Sequence, residues 1–189
     1  MLLSTARLTL RRFRPEDAAA VAAYRSDPEV ARYQPWDPSM SAEQSRLLVA
    51  VLAGGDPLAP GWFQYAIERE GVLLGDVGVN THDNRMQAEI GYTLAPAHQG
   101  HGYATEAVSR VVAHLFEDRG LHRLSAECDA RNLRSARLLE RVGFRREGLR
   151  RHHTWMKGEW TDDLLYGLLA TDWPPAAATA PPAARDGVR

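Results

Sequence analysis

One segment narrows the possible folds more than any other. In "QAEIGYTLAPAHQGHGYATEAVSRVVAHLFEDRGLHRLSAECDA" an alternating run over residues 87–95 stops at a turn holding Gly100 and Gly102. An amphipathic helix follows over residues 102–119, with Ala104, Ala107, Val108, Val111, Val112, Leu115 and Phe116 on one stripe. A second strand, "HRLSAECDA", comes next. Two neighbouring strands joined through a helix run parallel, because the crossover returns the chain to its starting edge.

The rest of the chain reads differently. "RLTLRRF" is a first strand, "RPEDAAAVAAYRSD" a helix that Asp27 and Pro28 end, and "RYQPWDPS" an irregular aromatic loop. "SAEQSRLLVAVLAGG" is a second helix, with Ser41 as N-cap and Gly54 at its end. "GWFQYAIER" and "GVLLGDVGVN" form a hairpin about Glu70-Gly71, "NLRSARLLERVG" is a short helix, and the chain closes on a pair of strands. One parallel pair inside an antiparallel run gives a mixed α+β or α/β sheet of about seven strands, helices on both faces. A doubly wound sheet is excluded. Residues 1–173 form one domain on this reading, and "PPAAATAPPAARDGVR" from Pro174 has too little apolar surface to offset the entropy of ordering, so a disordered tail is expected.

Charge and composition remove several function classes. With 23 basic and 24 acidic residues among 189, nothing in the balance favours nucleic acid or an anionic membrane. No apolar run approaches the roughly 20 residues that cross a bilayer. The lone Cys128 excludes an internal disulfide. A cytoplasmic protein is expected.

The glycine turn is where chemistry enters. The first turn of a helix leaves backbone N–H groups without partners, and the helix dipole adds positive charge there. Glycines before it let a phosphate approach those groups unobstructed, although a tight turn needing positive φ would also select glycine. A Walker loop would need Gly-Lys-Ser/Thr, and the turn holds no lysine. A dinucleotide fingerprint would need a third glycine where Thr105 stands.

Spaced Gln99-x-x-Gly102-x-Ala104, the turn resembles the Q/R-x-x-G-x-G/A signature of the GNAT (GCN5-related) N-acetyltransferases. "AEIGYTLAPAHQGHGYATEA", "ARNLRSARLLERVGFRREGLRR" and "GEWTDDLLYGLLATDW", in that order, are similar to the RimJ/RimL branch, as is the opening "TARLTLRRFRPEDAAAVAAY". The resemblance spans roughly residues 4–173. It implies a GNAT fold and acetyl-CoA as co-substrate, with no metal. The pyrophosphate would lie on the backbone of Gln99, Gly100, His101, Gly102, Tyr103, Ala104 and Thr105. The pantetheine arm would run beside the strand through Tyr92 and Leu94. A homodimer is also implied.

Acyl transfer to an amine needs a neutral nucleophile, a donor for the oxyanion and a proton for the thiolate. The resemblance assigns the oxyanion to the Leu94 N–H. Asn132 is a natural N-cap, which puts Ser135 in the first helical turn, on one stripe with Leu138, Leu139 and Val142. Ser135 is the expected thiolate acid; the alternative is a hydroxyl that only bonds nearby backbone. Asn132 is an expected coenzyme contact. Glu89, on the strand entering the turn, is the first candidate for the base. Gly91 in the same bulky strand marks either a bulge or a close approach by a ligand.

Branch members that acetylate ribosomal N-termini place a glutamate on the strand after "GFRREG". Near Thr154 this chain has no carboxylate, and His152 or His153 could substitute through water. Neighbouring strand residues face opposite ways, so at most one of the two histidines would serve. His98-x-x-His101 lacks a third metal ligand at suitable spacing, and Cys128 reads as a strand residue of the core. Tyr24 and the "RYQPWDP" loop are either packing or an acceptor wall.

The expected activity is acetyl-CoA-dependent N-acetylation of a primary amine, on a protein N-terminus or a small molecule, by direct attack in a ternary complex. Asp37, Glu43, Asp56, Asp162 and Asp163 would suit a polycationic, aminoglycoside-type acceptor. The contrasting reading is a non-catalytic acyl-CoA-binding sensor.

Overall fold

The computed structural model describes residues 2–174, so all of the expected tail but Pro174 lies outside the described residues. The strands are β1 (Leu3–Ser4), β2 (Thr9–Arg11), β3 (Gly61–Arg69), β4 (Val72–Thr81), β5 (Gln87–Leu94), β6 (Arg123–Asp129), β7 (Arg145–Met156) and β8 (Glu159–Leu169). They form one eight-stranded sheet in the order β1-β2-β3-β4-β5-β6-β8-β7. β5 and β6 pair parallel and every other neighbour pairs antiparallel. The strand beyond the expected seven is β1, two residues that pair with β2. A segment that short has no periodicity to read.

The helices are α1 (Ala18–Arg25), α2 (Pro28–Ala31), α3 (Ala42–Gly54), α4 (Tyr103–Ala113) and α5 (Leu133–Val142). Asp27 and Pro28 end α1 but also begin α2: the Asp27 carboxylate accepts from the N–H groups of Glu29 and Val30. Ser41 caps α3 as expected, in a reciprocal box with Gln44. The long helix changes type before its end, running on from α4 as a π-helical turn over His114–Asp118. No helix among the described residues is long and apolar enough to cross a membrane.

Two helical layers cover the sheet unequally. α4 and α5 lie on one face, where Val108, Val111, Val112 and Leu139 pack on Val77, Ile90, Leu124 and Tyr166. Each fully buried branched side chain contributes about 1.5–3 kcal/mol, enough to fix the start of α4 against the sheet. On the other face α1 and α3 pack through Val21, Tyr24 and Val49 on Ala66 and Leu73. Beyond that cluster, on the β6–β8–β7 half of the same face, Glu127, Arg150 and His153 are exposed. One side of the sheet is therefore covered near β3 and β4 and open beyond β5.

Beneath α1 lies a buried ion network. Arg11 binds Asp17 through two bonds, of 2.7 and 2.8 Å, and reaches Glu68 at 2.5 Å. These side chains line a surface cavity of about 530 Å³. Arg11 is satisfied there by carboxylates, and the more exposed Arg14 lies 3.5 Å from the same Glu68 oxygen.

Candidate active site

The parallel pair is incomplete. β5 and β6 are in register at Gln87↔Arg123, Ala88↔Leu124 and Glu89↔Ser125 and then separate, although β5 continues to Leu94 and β6 to Asp129. A wedge opens between Gly91–Leu94 and Glu127–Asp129. β5 stays in register with β4 throughout, Gly78 opposite Gly91, so the bulge alternative for Gly91 is excluded. A Cβ added at Gly91 would meet no atom within 4 Å.

Strand alternation decides which backbone groups face the wedge. Ala95 donates to Leu74 of β4, and the Gln87 carbonyl accepts from His82, so odd-numbered residues of β5 turn toward β4. Tyr92 and Leu94 therefore turn their N–H and C=O groups into the wedge. The Leu94 carbonyl is taken by Gln99 Nε2 at 3.0 Å, and Gln99 Oε1 accepts from Arg134 at 3.1 Å.

The glycine turn closes the wide end of the wedge. Gly100 and Gly102 adopt φ of +81° and +79°, the left-handed region that costs most side chains about 1–3 kcal/mol. Gly102 is the N-cap of α4 and supplies no capping side chain, so the N–H groups of the first turn point outward. Among the described residues, the N–H groups of Gly100, His101 and Gly102 are not spent on backbone acceptors. Gln99 differs: its N–H donates to Pro96, which narrows the expected set of donors by one. Tyr103 is buried, with its hydroxyl on Arg69 and the Arg7 guanidinium 4.7 Å from its ring centroid, so only its backbone faces the turn. Glu106, whose charge would repel an anion here, is bound by Thr5 and by Arg7 at 2.6 Å.

Across the wedge, on the helical side, Tyr92 and Ser135 meet with their hydroxyl oxygens 2.7 Å apart. Asn132 caps α5 as expected, its Oδ1 accepting from Ser135 N at 3.1 Å, which leaves its side-chain NH₂ available. Ser135 is half-buried, whereas Leu138, Leu139 and Val142 of its stripe are fully buried. Burial pushes the Tyr92 phenol far above its usual range, against the Ser135 hydrogen bond. Burial likewise raises the Cys128 thiol to about 11, which keeps it protonated and unlike a nucleophile.

Glu89 lies on the opposite face from Tyr92, in the last paired rung, opposite Ser125. Burial raises its carboxyl above the usual range and Glu127 adds to the rise, while His82 opposes it. Tyr24 belongs to the packing: it is buried, and its hydroxyl donates to the buried Asp76 at 2.8 Å. Of the acids considered for a polycationic acceptor, Asp56 is engaged with the Leu58 N–H and Asp162 with the His152 N–H, while Asp163 lies on the open face.

Sequence reasoning named Asp163 of β8 as a possible acceptor acid but missed its partners across the strands. The carboxylate absent from the strand near Thr154 arrives from the neighbouring strand, as Asp163, whose Oδ2 accepts from Thr154 at 2.6 Å. Only the cross-strand register reveals it.

Comparison with known proteins agrees with this architecture. The model of the acetyltransferase (GNAT) domain matches residues 7–145. An uncharacterised N-acetyltransferase, p20 of Bacillus licheniformis, is 33% identical over 175 residues, covering 90% of this chain and 97% of that protein. The crystal structure of a GNAT-family acetyltransferase from Bacillus anthracis superposes with a TM-score of 0.82 at 29% identity, covering 90% of this chain and 99% of the other. RimJ of Mycobacterium smegmatis, solved with CoA-disulfide, superposes with a TM-score of 0.79 at 28% identity, over 90% and 86% of the two chains. The match of that domain model over residues 7–145, together with a relative 33% identical along nearly its whole length, places the chain in the GNAT family of acetyltransferases, with RimJ among its structural relatives.

Proposed function

We propose that the protein transfers an acetyl group from acetyl-CoA to a primary amine by direct attack in a ternary complex. The observation that carries this reading is the parting of β5 from β6 immediately beside the unspent amides of Gly100–Gly102. One end of that gap suits a diphosphate and the other leaves strand backbone free to pair with a pantetheine arm. Gly100, His101, Gly102, Tyr103, Ala104 and Thr105 would hold the diphosphate through their N–H groups. Tyr92 and Leu94 would pair with the arm, and the Asn132 amide would add a contact from α5.

The chemistry then divides among few groups. The amine nitrogen attacks the thioester carbon and a C–N bond forms. The carbonyl oxygen takes up negative charge, which the Leu94 N–H stabilises. Glu89, ionised, accepts a proton from nitrogen. On collapse the C–S bond breaks and Ser135 gives its proton to the departing sulfur near the positive end of α5; solvent then returns a proton to the serine oxygen and takes the one held by Glu89. Tyr92 positions Ser135: when the phenol donates along the 2.7 Å contact, the serine proton stays free for the sulfur.

The acceptor would be a protein N-terminus or a small amine, approaching over Gly91 on the open face. The test is thiol release from acetyl-CoA in the presence of N-terminal peptides, polyamines and aminoglycosides. Release with one class identifies the acceptor. Tight coenzyme binding without release for any amine contradicts the reading and leaves a sensor in its place.

A further inference from the structure

β7 and β8 do not run together evenly. They pair at Arg150↔Asp163 and again at Thr154↔Thr161, so Arg151, His152 and His153 stand opposite Asp162 alone. His152 takes a φ of +48°, in the left-handed region, and its N–H donates to Asp162 Oδ1 at 2.8 Å. In an even strand His153 would turn away from the face that Thr154 and Asp163 share. The bulge swings it back, and His153 Nδ1 comes to lie 2.9 Å from Asp163 Oδ2.

That contact selects a tautomer. An ionised carboxylate only accepts, so Nδ1 carries the hydrogen and the Nε2 lone pair is left free. Asp163 is well buried, with a side chain 10% exposed, and Thr154 holds the same oxygen, so the orienting group is itself fixed. The His153 side chain is 47% exposed and can exchange protons with solvent. Glu127 brings this pair to the site: an oxygen of its carboxylate lies within 4.8 Å of the ligating atoms of both His153 and Asp163. Glu127 stands on the β6 lip of the wedge, two residues beyond the last β5–β6 rung.

We propose that His153, oriented by Asp163, takes the amine proton that is destined for solvent. The inference rests on the acetyl-transfer reading above and adds a second proton acceptor to it. An acceptor arrives as an ammonium with three hydrogens and leaves as an amide nitrogen with one. Of the two protons shed, one makes good the proton that Ser135 gives to the thiol, and the other must reach water. Half-buried Glu89 suits the first, and the half-exposed His153 imidazole, on the β6 side of the wedge, suits the second. The charged groups around the imidazole are Glu127 on β6, Asp163 on β8, Arg150 and His152 on its own strand, Glu89 across the gap, and Arg32, which acts on nearby Asp129 from the end of α2.

The test compares kcat/KM against pH for the wild type and His153→Asn, using thiol release with the best acceptor amine and acetyl-CoA affinity as a control. Asparagine keeps a donor toward Asp163 but takes up no proton. The wild type should show an acidic limb where the imidazole takes up a proton and ceases to act as an acceptor. The variant should retain coenzyme affinity, lose that limb and fall about 100-fold in kcat/KM. A variant with the wild-type limb and a rate within about twofold of wild type overturns the assignment. A wild type that binds acetyl-CoA but acetylates no amine overturns the reading beneath it as well. Should the variant not fold, ¹⁵N spectra of the wild-type imidazole decide: a hydrogen on Nδ1 supports the proposal, and one on Nε2 at neutral pH overturns it.

Discussion

Tyr92 on β5 and Ser135 on α5 bridge the parted strands from the helical side, with their hydroxyl oxygens 2.7 Å apart. Burial holds the phenol protonated, and its one hydrogen faces two acceptors on Ser135, the hydroxyl at 2.7 Å and the carbonyl at 3.1 Å. Ser135→Ala should lower kcat/KM by about 100-fold, the usual worth of a positioned acid. Tyr92→Phe should cost about five- to tenfold, the loss of one hydrogen bond. The two changes act through one hydroxyl, so the double variant should be no slower than Ser135→Ala alone; strictly multiplicative losses in a double-mutant cycle would contradict the pairing.

Gly91 gives a separate handle on the acceptor. It faces away from Tyr92, onto the open side, and a Cβ there meets nothing within 4 Å. Gly91→Leu should raise the acceptor KM by about tenfold or more, the order expected when a site loses near-attack geometry, and leave acetyl-CoA affinity unchanged. An acceptor KM that does not move would place the amine elsewhere.

Glu89 should titrate above the ordinary glutamate value of about 4.3, chiefly through burial and then through Glu127. A base acts when ionised, so this shift carries its acidic limb upward in pH. Glu127→Gln removes the like charge and should lower the Glu89 titration, as carboxyl ¹³C shifts would report. Unchanged shifts would mean that the two carboxylates do not sense each other.

Asp17 governs stability rather than chemistry. Burial alone would raise its carboxyl, but hydrogen bonds from Arg11 and from the Arg14 N–H outweigh it and the net direction is down. A depressed folded pKa contributes stability above the unfolded value, near ~3.9, and loses it as pH falls through the folded one. Asp17→Asn should therefore cost about 3 kcal/mol at neutral pH in urea titrations, with a gap from wild type that closes below about pH 4. Glu68 remains as a partner for Arg11, which keeps the loss at the lower end for a broken buried pair.

What the sequence revealed and what it hid follow from the range of the interactions. Ser41 and Asn132 are legible caps because a cap is decided within four residues, and the α4 stripe is legible because its period repeats. The parallel pairing of β5 with β6 follows from the crossover. Local rules could not show that this pairing stops after Glu89, since the gap depends on the paths of both strands. The same holds for Asp163: it meets Thr154 and His153 through strand pairing and a bulge that no turn residue announces. Gln99 was singled out by its motif, yet its amide closes a local turn and its side chain braces Leu94.

The account depends most on where the diphosphate lies, and backbone amide shifts during a titration with CoA examine that directly. The largest changes should fall on Gly100–Thr105 and on Leu94, and Gly102→Glu, which puts bulk and negative charge into the seat, should abolish them. Changes centred instead on the Arg11 and Asp17 cavity, or a Gly102→Glu protein that binds CoA as the wild type does, would contradict it.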